Sequence, residues 1–478
     1  MDDDDIATYI GWKGYTIYKK NISVQEQQML RKELNVKPFV PKSSLMKPQP
    51  FPVYRESKNK IYVPIFYGME VYGEPDEIRI DDGKKINVSF KGELRPKQKP
   101  VVKKFMKHIK KKNSGLLALH TGFGKTCLAL NIISKIKLKT IIIVHKEFLL
   151  RQWVERIEQF LPDAKVGKIQ AKTIDTEGKD IVICMLQSLS MKEYPKDMFR
   201  EYGFSIYDEV HHLGAEVFSK AFYKVVTKYS LGLSATINRK DGLTKVIKWF
   251  LGDVVCKLER KGEDNVLVKV INYETTDEDF NKIETDWRGQ IKYTTMVKKL
   301  CEFNNRSEFI LKVLSDLLKG NPNQQIMILA HQKKLLQYLH DAIRHRTIAT
   351  VGYYVGGMKE KDLKISEGKK VIIATYAMAE EGLDIKSLTT LIMATPKVDV
   401  RQSVGRILRQ KHNEAVVVDI VDSHSLFQRH FTKRKTFYRK SKFKVIQTNM
   451  NGYQNGDWET IYDPINKIKK AFSKTKNE

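Results

Sequence analysis

From about residue 94 to residue 236, five short apolar runs, SGLLALH, TIIIVH, DIVICML, FSIYDEV and YSLGLSAT, alternate with helix-length amphipathic stretches. A strand that is apolar at consecutive positions has both faces buried, which calls for helices on both sides of a parallel sheet. Parallel strands also need a crossover connection, and the intervening stretches are long enough to be helices. The pattern pauses between about 260 and 300 and resumes with QQIMILA, TIATVGYYV, KKVIIAT, LTTLIMA and AVVVDIV. Two α/β domains in tandem are therefore expected, a repetition at the scale of whole domains.

The first ~90 residues follow other rules. Five of the 14 prolines, Pro38, Pro41, Pro48, Pro50 and Pro52, crowd one stretch that cannot be regular helix or central strand. A helix over 24–35 precedes this irregular connection, and KIYVPIFYG after it reads as a strand or hairpin. Together they predict a small α+β N-terminal accessory domain. The expected boundaries are 1–92 for this domain, 93–258 and 304–448 for the two α/β domains, 259–303 for a connecting segment and 449–478 for a basic C-terminal tail.

A chain of 478 residues with 41% hydrophobic and 29% charged residues has the composition of a folded globular protein. Its formal charge of +29, from 85 Lys plus Arg against 56 Asp plus Glu, draws it toward a polyanion, with nucleic acid the first candidate. Cys127, Cys184, Cys256 and Cys301 are too far apart for a CxxC metal or redox motif and are expected to be reduced core residues. No apolar run approaches the ~18 residues of a membrane span, so no membrane partner is expected and the protein is expected to be intracellular.

The apolar run LLALH leads into Thr121-Gly122-Phe123-Gly124-Lys125-Thr126 and then a helical pattern, CLALNIISKI. Strand, glycine loop and helix in this order make a phosphate cradle: glycines let backbone N–H groups close on phosphate oxygens, and the helix N-terminus adds its positive dipole. Lys125 would hold terminal phosphates and Thr126 would ligate magnesium. The strict pattern has Gly where Leu119 stands. Asp208 and Glu209 follow the apolar stretch FSI at the end of a predicted strand, where α/β ligand sites assemble. Asp208 would hold magnesium, while Glu209 would orient or deprotonate a water. Arg406 and Arg409, one helical turn apart in RQSVGRILR, share a helix face from which they could stabilise charge on phosphoryl oxygens.

LHTGFGKT (119–126), DEVHH (208–212), LSAT (233–236) and QSVGRILR (402–409) resemble, in order and spacing, motifs I, II, III and VI of superfamily two helicases. LRPKQ (94–98) is similar to that family's nucleotide-base motif, IVHKEFLLRQW (143–153) to motif Ia and ATYAMAEEGLDI (374–385) to motif V. GLSATINRKDG further resembles the branch holding XPB-type helicases and phage recombination helicases, with Ile237 where many XPB-type relatives carry proline. KPFVPK, FPVYRESKNKIYVPIFYG and VHKEFLLRQW are similar to the transcript-release DNA helicases of poxviruses and related large DNA viruses.

The resemblance implies two RecA-like domains that use ATP and Mg2+. It assigns Gln98 to the adenine; Thr121, Gly122, Phe123, Gly124, Lys125 and Thr126 to the phosphates; Asp208 and Glu209 to hydrolysis; and Gln402, Arg406 and Arg409 to completing the site. Gly382 and Asp384 would belong to the motif coupling nucleotide state to strand contact, and Ser234 and Thr236 would link hydrolysis to domain movement. By position after predicted strands, His145, Lys146, Gln187, Ser188, Thr375 and Tyr376 are candidate nucleic-acid contacts, with ordinary surface loops as the alternative. RHFTKRKTFYRKSKFK (429–444) either stacks its aromatics on bases or docks as a helix, and the lysines of VVKKFMKHIKKKN (101–113) read as a solvated helix face. The expected protein is a monomeric ATP-dependent helicase or translocase acting on single-stranded DNA, duplex DNA or an RNA–DNA hybrid. By the same resemblance it would serve viral transcript release alongside transcription machinery, or DNA replication and repair, in the virion or host cytoplasm. A duplex translocase without strand separation, an RNA helicase and a catalytically silent nucleic-acid-binding protein are the alternatives.

Overall fold

The computed structural model describes residues 7–39, 48–195, 197–212, 216–237, 239, 241–259, 265–382, 385–408 and 414–465. The chain divides into two compact units, Met1–Glu259 and Arg260–Glu478. All ten apolar runs are strands, and central ones such as Ser114–Leu119 and Thr140–Val144 are buried at every position.

Among the described residues the first unit carries three sheets, the smallest being the two-stranded pair of Asn35–Val36 and Phe51–Pro52. The α/β sheet runs Thr173–Asp175, Val166–Gln170, Ile181–Met185, Thr140–Val144, Phe204–Asp208, Tyr229–Ser234, Ser114–Leu119, Val254–Leu258 in spatial order. Every neighbouring pair is parallel except the first. The N-terminal sheet is mainly antiparallel, ordered Arg55–Glu56, Lys60–Val63, Gly14–Tyr18, Thr8–Gly11, Glu77–Ile78. The helix Val24–Glu33 begins with a capping box, Ser23 accepting from the Glu26 N–H while the Glu26 carboxylate accepts from the Ser23 N–H. Only the first half of KIYVPIFYG is a strand. Pro64, lacking an N–H, ends the ladder and stands at the N-cap of a helix, Ile65–Tyr72, rather than the return strand of a hairpin. The proline-rich stretch is not wholly irregular either, since Phe51–Pro52 pairs with Asn35–Val36; Pro41 lies outside the described residues.

The N-terminal sheet does not close a core of its own. Its inner residues Ile10, Tyr15, Ile17, Ile61 and Val63 belong to one continuous apolar cluster with Ile141, Ile143 and Ile247 of the α/β part. Tyr67 and Trp249 meet edge to face at 5.2 Å, and the Tyr223 hydroxyl donates to the Val53 carbonyl at 2.7 Å. The helix Lys99–Lys112 buries Val101, Val102, Phe105 and Ile109 and leaves most of its lysines exposed.

The second unit is one eight-stranded sheet ordered Val351–Tyr354, Val371–Thr375, Gln325–Ala330, Leu388–Met393, Ala415–Asp422, Val266–Tyr273, Lys444–Asn449, Glu459–Tyr462, parallel except at the last pair. Two boundaries move accordingly. Val266–Tyr273 pairs with Ala415–Asp422 on one side and Lys444–Asn449 on the other, so the expected connecting segment 259–303 supplies an interior strand. Glu459–Tyr462 extends the sheet, so the expected tail 449–478 is structured at least this far. Lys269 and Asn272 interrupt the apolar run of Val266–Tyr273, and Glu459–Tyr462 begins with two polar residues, so neither stands out as a fully apolar run.

Ala415–Asp422 carries two buried ion pairs. Arg434 grips Asp419 through Nε at 2.8 Å and Nη2 at 2.9 Å, with the Tyr438 hydroxyl donating to the same carboxylate at 2.9 Å. Arg306 grips Asp422 at 2.5 and 2.9 Å and donates to the Ala394 carbonyl at 2.7 Å. All four side chains are at most 1% exposed. Arg434, Phe431 and Tyr438 lie on the helix Ser425–Lys440, so its aromatics are committed to the core rather than offered to bases. Removing one member of a buried pair strands the other charge. Arg434→Met should destabilise the second unit by about 3–5 kcal/mol, whereas Arg346→Met, which breaks a half-exposed pair with Glu308, should cost ~1 kcal/mol or less. Denaturant titrations of the two variants side by side check this; equal midpoints would count against it.

Candidate active site

The edge of the first α/β sheet where its parallel strands end collects the motif residues. Ser114–Leu119 runs into a loop in which Gly122 and Gly124 take left-handed backbone angles, φ +83° and +87°. The left-handed angle at Gly124 disfavours any residue with a Cβ, which would also displace the Gln98 and Arg95 side-chain ends, 2.6 and 2.7 Å from its position. The helix Lys125–Ile136 starts at the loop with no side-chain cap, leaving its first N–H groups and its dipole for an anion. Phe123 anchors the loop in the core, 6% exposed.

Gln98, 2% exposed, donates from Nε2 to the Phe123 carbonyl at 2.9 Å and accepts the Arg95 N–H at 2.9 Å. The Arg95 guanidinium donates to the Phe123 and Gly122 carbonyls. This amide, assigned to the adenine by resemblance, also braces the loop.

Strand register brings the second motif alongside: Asp208 pairs with Leu233, and Ser234 with Ala118. Lys125 Nζ lies 2.7 Å from Glu209 Oε1. Asp208 Oδ2 accepts the Trp153 indole N–H at 3.0 Å and its Oδ1 accepts the Glu209 N–H at 3.0 Å. Burial, joined by the Glu209 carboxylate and opposed by Lys125, pushes the Asp208 carboxyl up to about 6. Glu209 is itself left-handed, φ +50°, an unfavourable angle for a residue with a Cβ.

His211 Nδ1 is 2.9 Å from Ser234 Oγ and 3.4 Å from Glu209 Oε2, and burial lowers its pKa. Ser234 Oγ also donates to the Thr236 carbonyl at 2.5 Å and accepts the Thr236 N–H at 3.2 Å. Arg239 donates to the His211 carbonyl and pairs with Asp241 at 2.5 and 2.9 Å. A polar chain thus joins Lys125, Glu209, His211, Ser234 and Thr236. Sequence reasoning gave no role to Trp153, His211 or Arg239. His211 stood in the quoted DEVHH, but its partner Ser234 is a strand away.

Among the candidate nucleic-acid contacts, His145 is 7% exposed and burial pushes its pKa down to about 4, leaving the ring neutral. Gln187 is exposed and donates to the His145 carbonyl at 2.8 Å, while the Ser188 hydroxyl accepts the Ala171 N–H at 2.9 Å. Lys146 is half-buried at the N-cap of Glu147–Phe160. In the second unit Thr375 ends its strand, and Tyr376, 3% exposed, donates to the Thr395 carbonyl at 2.7 Å. Gln402 and Arg406 lie on the helix Arg401–Arg406, half-buried and 6% exposed respectively. Gly382 ends the helix Tyr376–Gly382, and Asp384 and Arg409 lie outside the described residues.

The glycine cradle, the uncapped helix start and Lys125 suit a polyphosphate. Among the described residues no three His, Cys, Asp or Glu side chains converge as a protein-only metal cage. The oxygen donors Thr126 and Asp208 fit instead a hard cation shared with phosphate oxygens, which is how magnesium is usually held.

Two domain families match the chain: "Type III restriction enzyme, res subunit" over residues 91–239 and "Helicase conserved C-terminal domain" over residues 310–411. A protein of Acanthamoeba polyphaga mimivirus named as an ATP-dependent RNA helicase is 35% identical, the match covering 92% of this chain and 87% of that one. A helicase of Invertebrate iridescent virus 6 is 28% identical over 74% of this chain and 83% of its own. A protein of African swine fever virus, isolate Pig/Kenya/KEN-50/1950, also named as an ATP-dependent RNA helicase, is 27% identical over 73% and 74%. The solved structure of T4 UvsW aligns over 93% of this chain and 99% of its own, at 17% identity and a TM-score of 0.35, too low to carry inference. Among the described residues no helix is long and apolar enough to cross a membrane. The phosphate loop lies inside the first matched family, and a relative 35% identical runs along 92% of the chain: the protein belongs to the superfamily two helicases, with relatives in large DNA viruses.

Proposed function

We propose that this protein is a nucleic-acid motor that hydrolyses ATP at the Lys125, Asp208 and Glu209 cluster and converts hydrolysis into movement along a nucleic-acid strand. The observation that carries the reading is the 2.7 Å pair between Lys125 and Glu209 at the mouth of a glycine cradle. A lysine held by the very carboxylate meant to act on water is a resting arrangement that a polyphosphate would break. Lys125 then turns to the terminal phosphates, and Glu209 is released to orient and deprotonate the attacking water. Thr121, Gly122, Phe123 and Gly124 supply backbone N–H groups, and Gln98 keeps the loop shaped around the adenine. Magnesium, held by Thr126 and Asp208, would neutralise phosphate charge. Gln402, Arg406 and Arg409 are assigned to the charge spreading over the transferred group, and Gly382 and Asp384 to its coupling with the strand. The His211–Ser234–Thr236 chain would carry the state of Glu209 away from the phosphates. His145, Lys146, Gln187, Ser188, Thr375 and Tyr376 remain the proposed strand contacts.

The net charge of +29 supports a nucleic-acid track. The resemblance to poxvirus-type transcript-release helicases favours DNA or an RNA–DNA hybrid, with transcript release during viral transcription, in the virion or host cytoplasm, as the role. The naming of the mimivirus and African swine fever virus relatives as RNA helicases favours RNA as the second reading.

Lys125→Ala should lower nucleic-acid-stimulated ATP hydrolysis by roughly 10²-fold or more, measured by phosphate release with single-stranded DNA, duplex DNA, hybrid and RNA in parallel. Substantial hydrolysis left in this variant would remove the phosphate-site assignment. Glu209→Gln should slow turnover by about 10²- to 10⁴-fold while still binding ATP, a separation readable by nucleotide titration. A labelled strand released from a tailed duplex or hybrid distinguishes a helicase from a duplex translocase. ATP hydrolysis without release from any such substrate decides for the translocase.

A further inference from the structure

The strand Val266–Tyr273 is followed by a small, tightly tied hairpin that none of the helicase motifs includes. Its arms meet at the antiparallel bridge Thr285–Ile291, and the Lys292 N–H donates to the Glu284 carbonyl at 2.8 Å. The turn is closed by the Asp286 N–H on the Gln290 carbonyl at 2.8 Å and the Gly289 N–H on the Asp286 carbonyl at 3.0 Å. Asp286 Oδ1 accepts the Arg288 and Gln290 N–H groups, both at 2.9 Å, and Gly289 takes the left-handed angle the turn needs, φ +72°. Lys299 locks the base, donating to the Asp279 and Lys282 carbonyls at 2.8 Å and to Glu284 Oε1 at 3.0 Å.

At the tip of this rigid turn stands Trp287, 84% exposed, with the Arg288 guanidinium 4.2 Å from its ring centre. Lys282, Arg288 and Lys292 are exposed around it. The hairpin also stands at a telling edge. Before it, the Phe280 carbonyl lies 2.7 Å from His424 Nε2, just past the end of Ala415–Asp422. After it, the Tyr293 hydroxyl donates to the Pro396 carbonyl at 3.2 Å, next to Thr395, whose carbonyl takes the Tyr376 hydroxyl. Both roots are thus fastened to the edge where the parallel strands of this sheet end, the edge at which ligands of such sheets bind.

We propose that this hairpin is a nucleic-acid-contacting element of the second unit, in which the Trp287 indole stacks on an unpaired base and Arg288 meets the adjoining phosphate. The proposal rests on the nucleic-acid motor reading above. An indole face accepts any base, so the contact favours single strand over closed duplex without selecting sequence. A turn held by this many hydrogen bonds presents the ring with little ordering left to do on binding.

The test is the affinity of the full chain for labelled oligothymidylate, oligouridylate and a blunt duplex. Trp287→Ala should bind the single strands about 5- to 100-fold more weakly, with its melting temperature unchanged and Trp287→Tyr recovering most of the affinity. Stacking releases no counterions, so Trp287→Ala should keep the wild-type dependence on salt, whereas Arg288→Ala should flatten the log–log slope by roughly 0.7 to 0.9. Single-strand affinity equal to wild type in Trp287→Ala, or a loss in Trp287→Tyr as large as in Trp287→Ala, overturns the proposal while leaving the motor reading in place. Wild-type protein that binds none of the three probes overturns both.

Discussion

The parallel backbone ladder of the first α/β sheet is the constraint on which the candidate site depends. With Ser234 in register with Ala118 and Leu233 with Asp208, three strands end together, and the loops that leave them share one edge. The ladder needs helices on both faces, and the strands can be apolar throughout only because those helices cover them. Lys125, Asp208 and Ser234, separated by up to 109 positions in the chain, become neighbours by this means alone.

At that edge electrostatics and strain act together. Burial, joined by the adjacent Glu209 carboxylate and opposed by Lys125, raises the Asp208 carboxyl to about 6. The left-handed backbone of Glu209, a conformation costing on the order of 1–3 kcal/mol, turns its side chain to Lys125. Such strain persists where the surroundings fix it, here through the Glu209 N–H on Asp208 and the Trp153 indole on the same carboxylate.

The second unit solves a different problem. Its central strand Ala415–Asp422 places Asp419 and Asp422 in the interior, and each is answered by a two-pronged arginine from a helix. Hydrophobic packing alone would tolerate those helices in several rotations, while two paired forks fix one. The same arginines also donate to the chain leaving the strand Leu388–Met393, Arg306 to the Ala394 carbonyl at 2.7 Å and Arg434 to the Lys397 carbonyl at 2.6 Å.

The two tandem α/β domains were legible in the chain because burial of a strand on both faces leaves an unbroken apolar run, and all ten such runs are strands. The phosphate loop was legible as well, since glycines, a lysine and a helix start are local requirements with a local spelling. Val266–Tyr273 and Lys444–Asn449 were not, because Lys269 and Asn272 break the first apolar run and the second has only Val445 and Ile446, patterns shared by many loops and helices. Tertiary structure alone decided what distant side chains do: that Gln98 braces the loop, that His211 meets Ser234, that Trp153 serves Asp208, and that the aromatics of Ser425–Lys440 face inward. Sequence sets which residues can donate, accept or carry charge; only the folded register sets who is within 3 Å of whom.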